Sequence, residues 1–253
     1  MGRRLLRCSS KTTLFAIQGE LGLWSLRARR DLKKLVYWGN LMDMEDNRLC
    51  KIVYKESKRI HLQKSRANWA STIKNILKKY NLVELWRDES KLLDLDGKGN
   101  GEAKTPVAHR RFWRRFIYKK IGEYEEQRWR AGMEKKSKLR TYRTFKTKLK
   151  LEKYLNVGNL KGRKLLTSLR SGSNMLEIEK GRWKRVDKEQ RLCLQCDMKQ
   201  VEDEKHFVVA CGRYNNERNL LYDQILTLSE GKLNVKQNDY SEPIYLIDDK
   251  NIG

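Results

Sequence analysis

Cys193-Leu194-Gln195-Cys196, nine further residues, His206, four more residues and Cys211 form the one segment of this 253-residue chain whose residue types and spacing specify chemistry. Three sulfurs and an imidazole are a donor set that tetrahedral Zn2+ favours. The two-residue gap between the first cysteines lets a tight turn aim both thiolates at one ion. Four protein ligands leave no position for a catalytic water, so the expected ion is structural. The alternative is a set of buried free thiols beside a core histidine. Ideal α-helix geometry would place His206 and Cys211 roughly 140° apart, so His206 is expected near a helix start with a break at Cys211-Gly212. Cys8 and Cys50 fall outside the pattern and read as ordinary reduced thiols.

The elements that must position this cluster sit in a strongly basic chain. Lys and Arg number 57 against 32 Asp and Glu, a net charge of +25, and self-repulsion of that size calls for neutralisation by a polyanion or counterions. RNA or DNA is the expected partner. An anionic membrane is the competing polyanion, but there is no run of 18 apolar residues, and Phe15-Ala16-Ile17 is too short for a signal-peptide core. The expectation is a soluble, intracellular protein of nucleus or cytoplasm. Five cysteines with a metal-like subset fit a reducing compartment better than a secreted disulfide framework.

Charge is concentrated between Val107 and Arg170, which holds 21 Lys and Arg, 5 Glu and no Asp. There Phe112, Trp113, Phe116, Ile117, Ile121 and Tyr124 make an apolar stripe. Arg110, Arg111, Arg114, Arg115, Lys119 and Lys120 occupy much of the remaining circumference. Two short basic helices follow, carrying Arg140, Arg143 and Lys146, then Arg163 and Lys164. These eleven cations are the candidate phosphate contacts, against the plainer reading of a solvated face whose long stems cover a small core. The Trp113, Trp129, Tyr142 and Phe145 rings either stack on unpaired bases or belong to that core.

Helical periodicity dominates the front of the chain. Leu32, Leu35 and Val36, then Leu49, Ile52, Val53 and Ile60, then Trp69, Ile73, Ile76, Leu77 and Tyr80 form three-and-four spaced stripes that read as core. The expected fold is mostly α: a helical region over 1–93, a linker at 94–106, a basic helical region over 107–186, a small zinc element at 187–228 and a flexible tail at 229–253. Within the linker, Asp94, Asp96 and Gly99 imitate a calcium loop, but Lys98 and Thr105 stand where oxygen ligands belong. Leu176 to Trp183 alternates apolar and polar residues and reads as extended.

Catalysis is not expected. Tyr245-Leu246-Ile247-Asp248-Asp249 imitates a polymerase carboxylate pair but lacks a second metal-binding strand, and His61 and His109 read as surface or packing histidines.

Several segments resemble the C-terminal region of non-LTR (LINE-type) retrotransposon reverse transcriptases. They are Phe145-Lys146-Thr147-Lys148 with Leu151 to Leu155, Leu169 to Gly172, Leu176 to Trp183, Glu189 to Cys193, and Glu202 to Phe207. Ala16 to Gly22 with Tyr37-Trp38 is similar to the helical region behind the polymerase domain of such elements. The resemblance implies a post-polymerase, non-catalytic nucleic-acid-binding module that engages element RNA or target DNA, with Cys193, Cys196, His206 and Cys211 as zinc ligands. The rival expectations are a co-opted helical scaffold with a protein partner and a truncated element fragment.

Overall fold

A computed structural model of the protein describes residues 2–94, 106–156 and 159–228. The calcium-like loop and most of the expected linker, the 229–253 tail and the Asp248-Asp249 pair lie outside them. In chain order the α-helices are α1 (Gly2–Leu6), α2 (Leu14–Glu20), α3 (Leu26–Met42), α4 (Leu49–Lys64), α5 (Trp69–Lys79), α6 (Val83–Arg87) and α7 (Ser90–Asp94). They are followed by α8 (Pro106–Glu134), α9 (Tyr142–Phe145), α10 (Leu160–Arg170), α11 (Glu177–Trp183) and α12 (Asn215–Leu228). The protein is mostly helical. Among the described residues the β-structure amounts to two isolated antiparallel bridges, Leu21 with Leu151 and Leu192 with Val201.

Two compact units are present, Trp24–Arg128 and Met1–Leu23 with Trp129–Gly253. They differ from the expected division, because the first 23 residues join the C-terminal part and the long basic helix contributes to both units. The 24–128 unit is built from α3 to α7 and the first part of α8. Its core gathers Leu35, Trp38, Tyr54, Ile73, Leu77, Trp86, Trp113, Ile117 and Ile121. In this unit every fourth residue of α8 from His109 to Glu125 is buried. That row takes Trp113, Ile117 and Ile121 inward and leaves the Arg and Lys doublets outward.

Gly39 permits a close approach of α3 to α8. A Cβ at Gly39 would lie 2.0 Å from Trp113 Nε1, and its absence lets the indole N–H donate to the Leu35 carbonyl at 2.8 Å. Starts of helices are specified locally. The Ser25 hydroxyl accepts from Ala28 N, and Asn68 with Ser71 forms a reciprocal capping box on α5.

The α4 stripe is a correction. Leu49, Ile52 and Val53 are exposed, at 74%, 48% and 57%. Lys51, Tyr54, Lys58 and His61 face inward in their place. Tyr54 Oη donates to Glu89 Oε1 and accepts from Trp38 Nε1, while Lys58 Nζ donates to the Trp86 carbonyl and Lys51 Nζ to that of Met42. Lysine stems cover apolar surface while each ammonium finds an acceptor, and these anchors outweigh the aliphatic stripe in setting the helix's rotation. His109 is a packing histidine, with Nδ1 2.6 Å from Asp43 Oδ1 and Nε2 3.1 Å from the Leu92 carbonyl oxygen.

In the other unit, Ala16, Trp129, Met133, Leu139, Tyr142 and Phe145 form the core, and Trp129 Nε1 donates to the Phe15 carbonyl at 2.8 Å. Beside it lies a buried ion network in which Arg170 bridges Glu20 at 3.1 Å and Glu152 at 2.7 Å. Lys146 pairs with the same Glu152. Residues 177–183 are helical (α11), not extended. Glu202 supplies the reason: its side chain accepts from Glu177 N and its carbonyl from Ile178 N, satisfying the first donors of a helix that strand pairing would otherwise have to engage.

Candidate metal centre and nucleic-acid interface

The metal-like cluster is assembled from a short hairpin and a wide helical turn. Cys193 N donates to the Gln200 carbonyl and Glu202 N to that of Arg191, flanking the Leu192–Val201 bridge. This closes the loop that carries Cys193 and Cys196. Gln195 N then points at Cys193 Sγ from 3.4 Å. On the second side Asp203 Oδ1 accepts from His206 N at 2.8 Å, and His206–Ala210 forms a π-type turn in which Cys211 N donates to the His206 carbonyl. The five-residue hydrogen bond brings residues five apart back to one side, where an α-helix would separate them by roughly 140°. Cys211 is extended, so the helix ends there, as the spacing requires.

The four donor atoms of Cys193, Cys196, His206 and Cys211 lie within 4.8 Å of one another, and the set can hold a metal ion. Cys193 Sγ and Cys211 Sγ are 3.9 Å apart, and Cys196 Sγ is 3.5 Å from His206 Nε2. A tetrahedron with metal–sulfur bonds of about 2.3 Å and metal–nitrogen bonds of about 2.0 Å has edges of about 3.8 Å between sulfurs and about 3.5 Å between sulfur and nitrogen. The separations match those edges and are far too long for a disulfide.

No protein-family model, characterised protein or solved structure matches this chain.

Groups around the cluster complete it. His206 Nδ1 lies 3.3 Å from Gln200 Oε1; with Nδ1–H donating there, the Nε2 lone pair is directed into the cluster, the tautomer a metal requires. Burial pushes the Cys193 thiol up to about 11, and a backbone N–H from Met198 pulls the Cys196 thiol below its ordinary value. Buried Arg218 donates to the Val208 and Cys211 carbonyls, satisfying the end of the wide turn. Sequence reasoning missed Gln200 and Arg218, whose roles come from contacts that no spacing rule encodes.

The candidate phosphate contacts divide sharply. Arg111, Arg114, Arg115 and Lys119 on α8 are exposed and make no ion pair among the described residues. Arg110 is 3.5 Å from Asp43, and Lys120 is 3.5 Å from Glu123 on its own helix. Lys164 on α10 is exposed.

Four candidates have partners within the fold. Lys146 is buried against Glu152. Arg140 is held by Glu179 at 3.0 Å and Glu204 at 2.8 Å, tying the segment that carries the Cys/His cluster to α11. Arg143 donates to the Glu134 carbonyl and Arg163 to that of Leu155. Carboxylates and carbonyls between 6 and 64 residues away in the chain engage these cations. The Trp113, Trp129, Tyr142 and Phe145 rings are all buried core residues.

No helix among the described residues is long and apolar enough to cross a membrane.

Proposed function

We propose that the chain is a non-catalytic nucleic-acid-binding module in which a structural Zn2+ held by Cys193, Cys196, His206 and Cys211 organises the C-terminal element. The observation that carries this reading is the outer face of α8: Arg111, Arg114, Arg115 and Lys119 are exposed and unpaired among the described residues, on a helix with no acidic residue from Pro106 to Gly122. Uncompensated cations at that density favour a polyanion over solvent alone. The three-sulfur, one-nitrogen donor set favours zinc over the hard cations, which prefer oxygen. The ion's chemistry here is structural; Arg140, Glu202 and Arg218 transmit the element's shape to its neighbours. This is also the role that the resemblance to LINE-type post-polymerase regions implies.

A protein partner is the second reading, favoured by the exposed Leu49, Ile52 and Val53 on α4. The deciding experiment replaces Arg111, Arg114, Arg115 and Lys119 together by Gln and measures anisotropy titrations on RNA and DNA at several salt concentrations. Each phosphate that the variant no longer neutralises should reduce the slope of log K against log salt by about one. A slope identical to that of the unmodified protein would remove α8 from the interface and leave the protein-partner reading.

A further inference from the structure

Within the 24–128 unit, α3 carries a second uncompensated cationic face. Arg27, Arg29, Arg30, Lys33 and Lys34 are all exposed, and Asp31, the helix's one acid, is turned inward to pair with Lys79 at 2.8 Å. None of these five cations makes an ion pair among the described residues.

The two basic helices are joined where their aromatic residues meet. Trp24, immediately before the Ser25 cap of α3, lies against Tyr118 of α8 with ring centroids 4.5 Å apart and planes tilted by 39°. Gly122 makes the seat: a Cβ there would be 3.1 Å from Trp24 Cζ2. Ser25 N donates to Glu125 Oε2 at 2.8 Å, and Arg128 holds the same carboxylate, so the first turn of α3 is fixed beside α8. Tyr118 is braced from one side yet remains 58% exposed, and it is the only large hydrophobic side chain exposed on α8 among the described residues.

A braced ring set among cations has a specific use. Arg114 and Arg115 stand about one helical turn before Tyr118, roughly 4.5 to 6 Å along the axis, and Lys119 is adjacent. Phosphates alone would need the cations and not the ring. A duplex keeps its base faces stacked on one another, so the ring gains nothing from it, whereas an unpaired base offers a π-face to any aromatic platform. An anionic bilayer would attract the same cations but would require a row of inserted apolar side chains, which this face of α8 lacks.

We propose that α3 and α8 form one surface for single-stranded nucleic acid, with Tyr118 stacking on an unpaired base and the cations of both helices holding the phosphates on either side. The inference rests on the nucleic-acid reading above and adds α3, the ring and the strand state. Trp24 is a positioning residue that holds the ring at its angle.

The test uses the full chain with an oligothymidylate single strand, a duplex of equal length and phosphatidylserine vesicles. Tyr118→Ala should weaken single-strand binding about tenfold while leaving duplex binding unchanged, and Tyr118→Phe should restore it. Replacing Arg27, Arg29 and Arg30 by Gln should flatten the single-strand salt slope by about one unit for each phosphate released. The inference is overturned if Tyr118→Ala has no effect, or weakens strand and duplex equally, or if the α3 variant keeps the original slope. Binding to vesicles without binding to either oligonucleotide would overturn it together with the nucleic-acid reading. Failure of the Tyr118 or α3 variants alone would leave that reading standing on α8.

Discussion

Removing the metal should unfold one segment and spare the rest. Between residues 187 and 214, Cys193, Val209 and Cys211 are the only buried apolar side chains. Full burial of one aliphatic side chain contributes about 1.5 to 3 kcal/mol, while ordering each residue's backbone costs about 1 to 2 kcal/mol. Apolar contacts therefore cannot hold the segment, whereas structural zinc contributes about 10 to 16 kcal/mol in small peptides near neutral pH. The core of the 24–128 unit draws no residue from this segment and should be indifferent to the loss. Glu204 would release Arg140, while Glu179 stays paired with Arg182. The assay is amide hydrogen exchange read by mass spectrometry, before and after chelation, with metal content followed by elemental analysis. Peptides covering 188–214 should lose protection completely, as they should in Cys196→Ser, and those covering 69–94 should be unchanged. Full protection of 188–214 in verified metal-free protein would refute the reasoning, as would the absence of zinc from reduced, freshly purified protein.

Gly39→Ala should destabilise the 24–128 unit, since its Cβ would meet Trp113 at 2.0 Å; overpacking of about 1 to 3 kcal/mol should appear as a lower Tm by about 4 °C or more. Gly212→Ala, with nothing within 4 Å, should melt with the unmodified protein. Burial works against ionisation of Glu125, but Arg128 and the Ser25 N–H together hold its carboxyl below the ordinary value. A depressed folded-state pKa gives stability that is present above the unfolded carboxylate value of about 4.3 and is lost as pH falls through the folded one. Glu125→Gln should accordingly flatten the acid limb of urea midpoints plotted against pH; an unaltered limb would show that another group controls it.

What was legible in the sequence was whatever depends on short spacing. The clustering of Cys193, Cys196, His206 and Cys211 followed from their intervals, and the break at Cys211-Gly212 followed from five-residue geometry; the π-type turn that achieves it did not. Leu32 and Leu35 of the α3 stripe and all of the α5 stripe reached the core, because no stronger anchor opposed them. On α4, hydrogen bonds from Lys51, Tyr54 and Lys58 to acceptors up to 35 residues away rotated the aliphatic stripe outward, and periodicity carries no information about such partners. Lys146 and Arg140 looked like their exposed neighbours because Glu152, Glu179 and Glu204 become adjacent only on folding. Nothing in the sequence sets Tyr118 apart from the larger rings nearby, since its brace, Trp24, lies 94 residues earlier in the chain. Trp113 and Trp129 are core residues because each indole N–H has a backbone carbonyl to receive it.

The central claim, that this chain binds nucleic acid through phosphate neutralisation, is tested most directly by the salt dependence of its affinity. Zinc-loaded protein should be titrated against labelled single-stranded RNA and DNA of unrelated sequences by fluorescence anisotropy. Engagement of about 6 to 10 phosphates predicts a loss of roughly 10³ to 10⁵ in affinity between 50 and 200 mM salt, nearly equal for all sequences. Affinity that is absent at low salt, or unchanged across that range, would contradict the account.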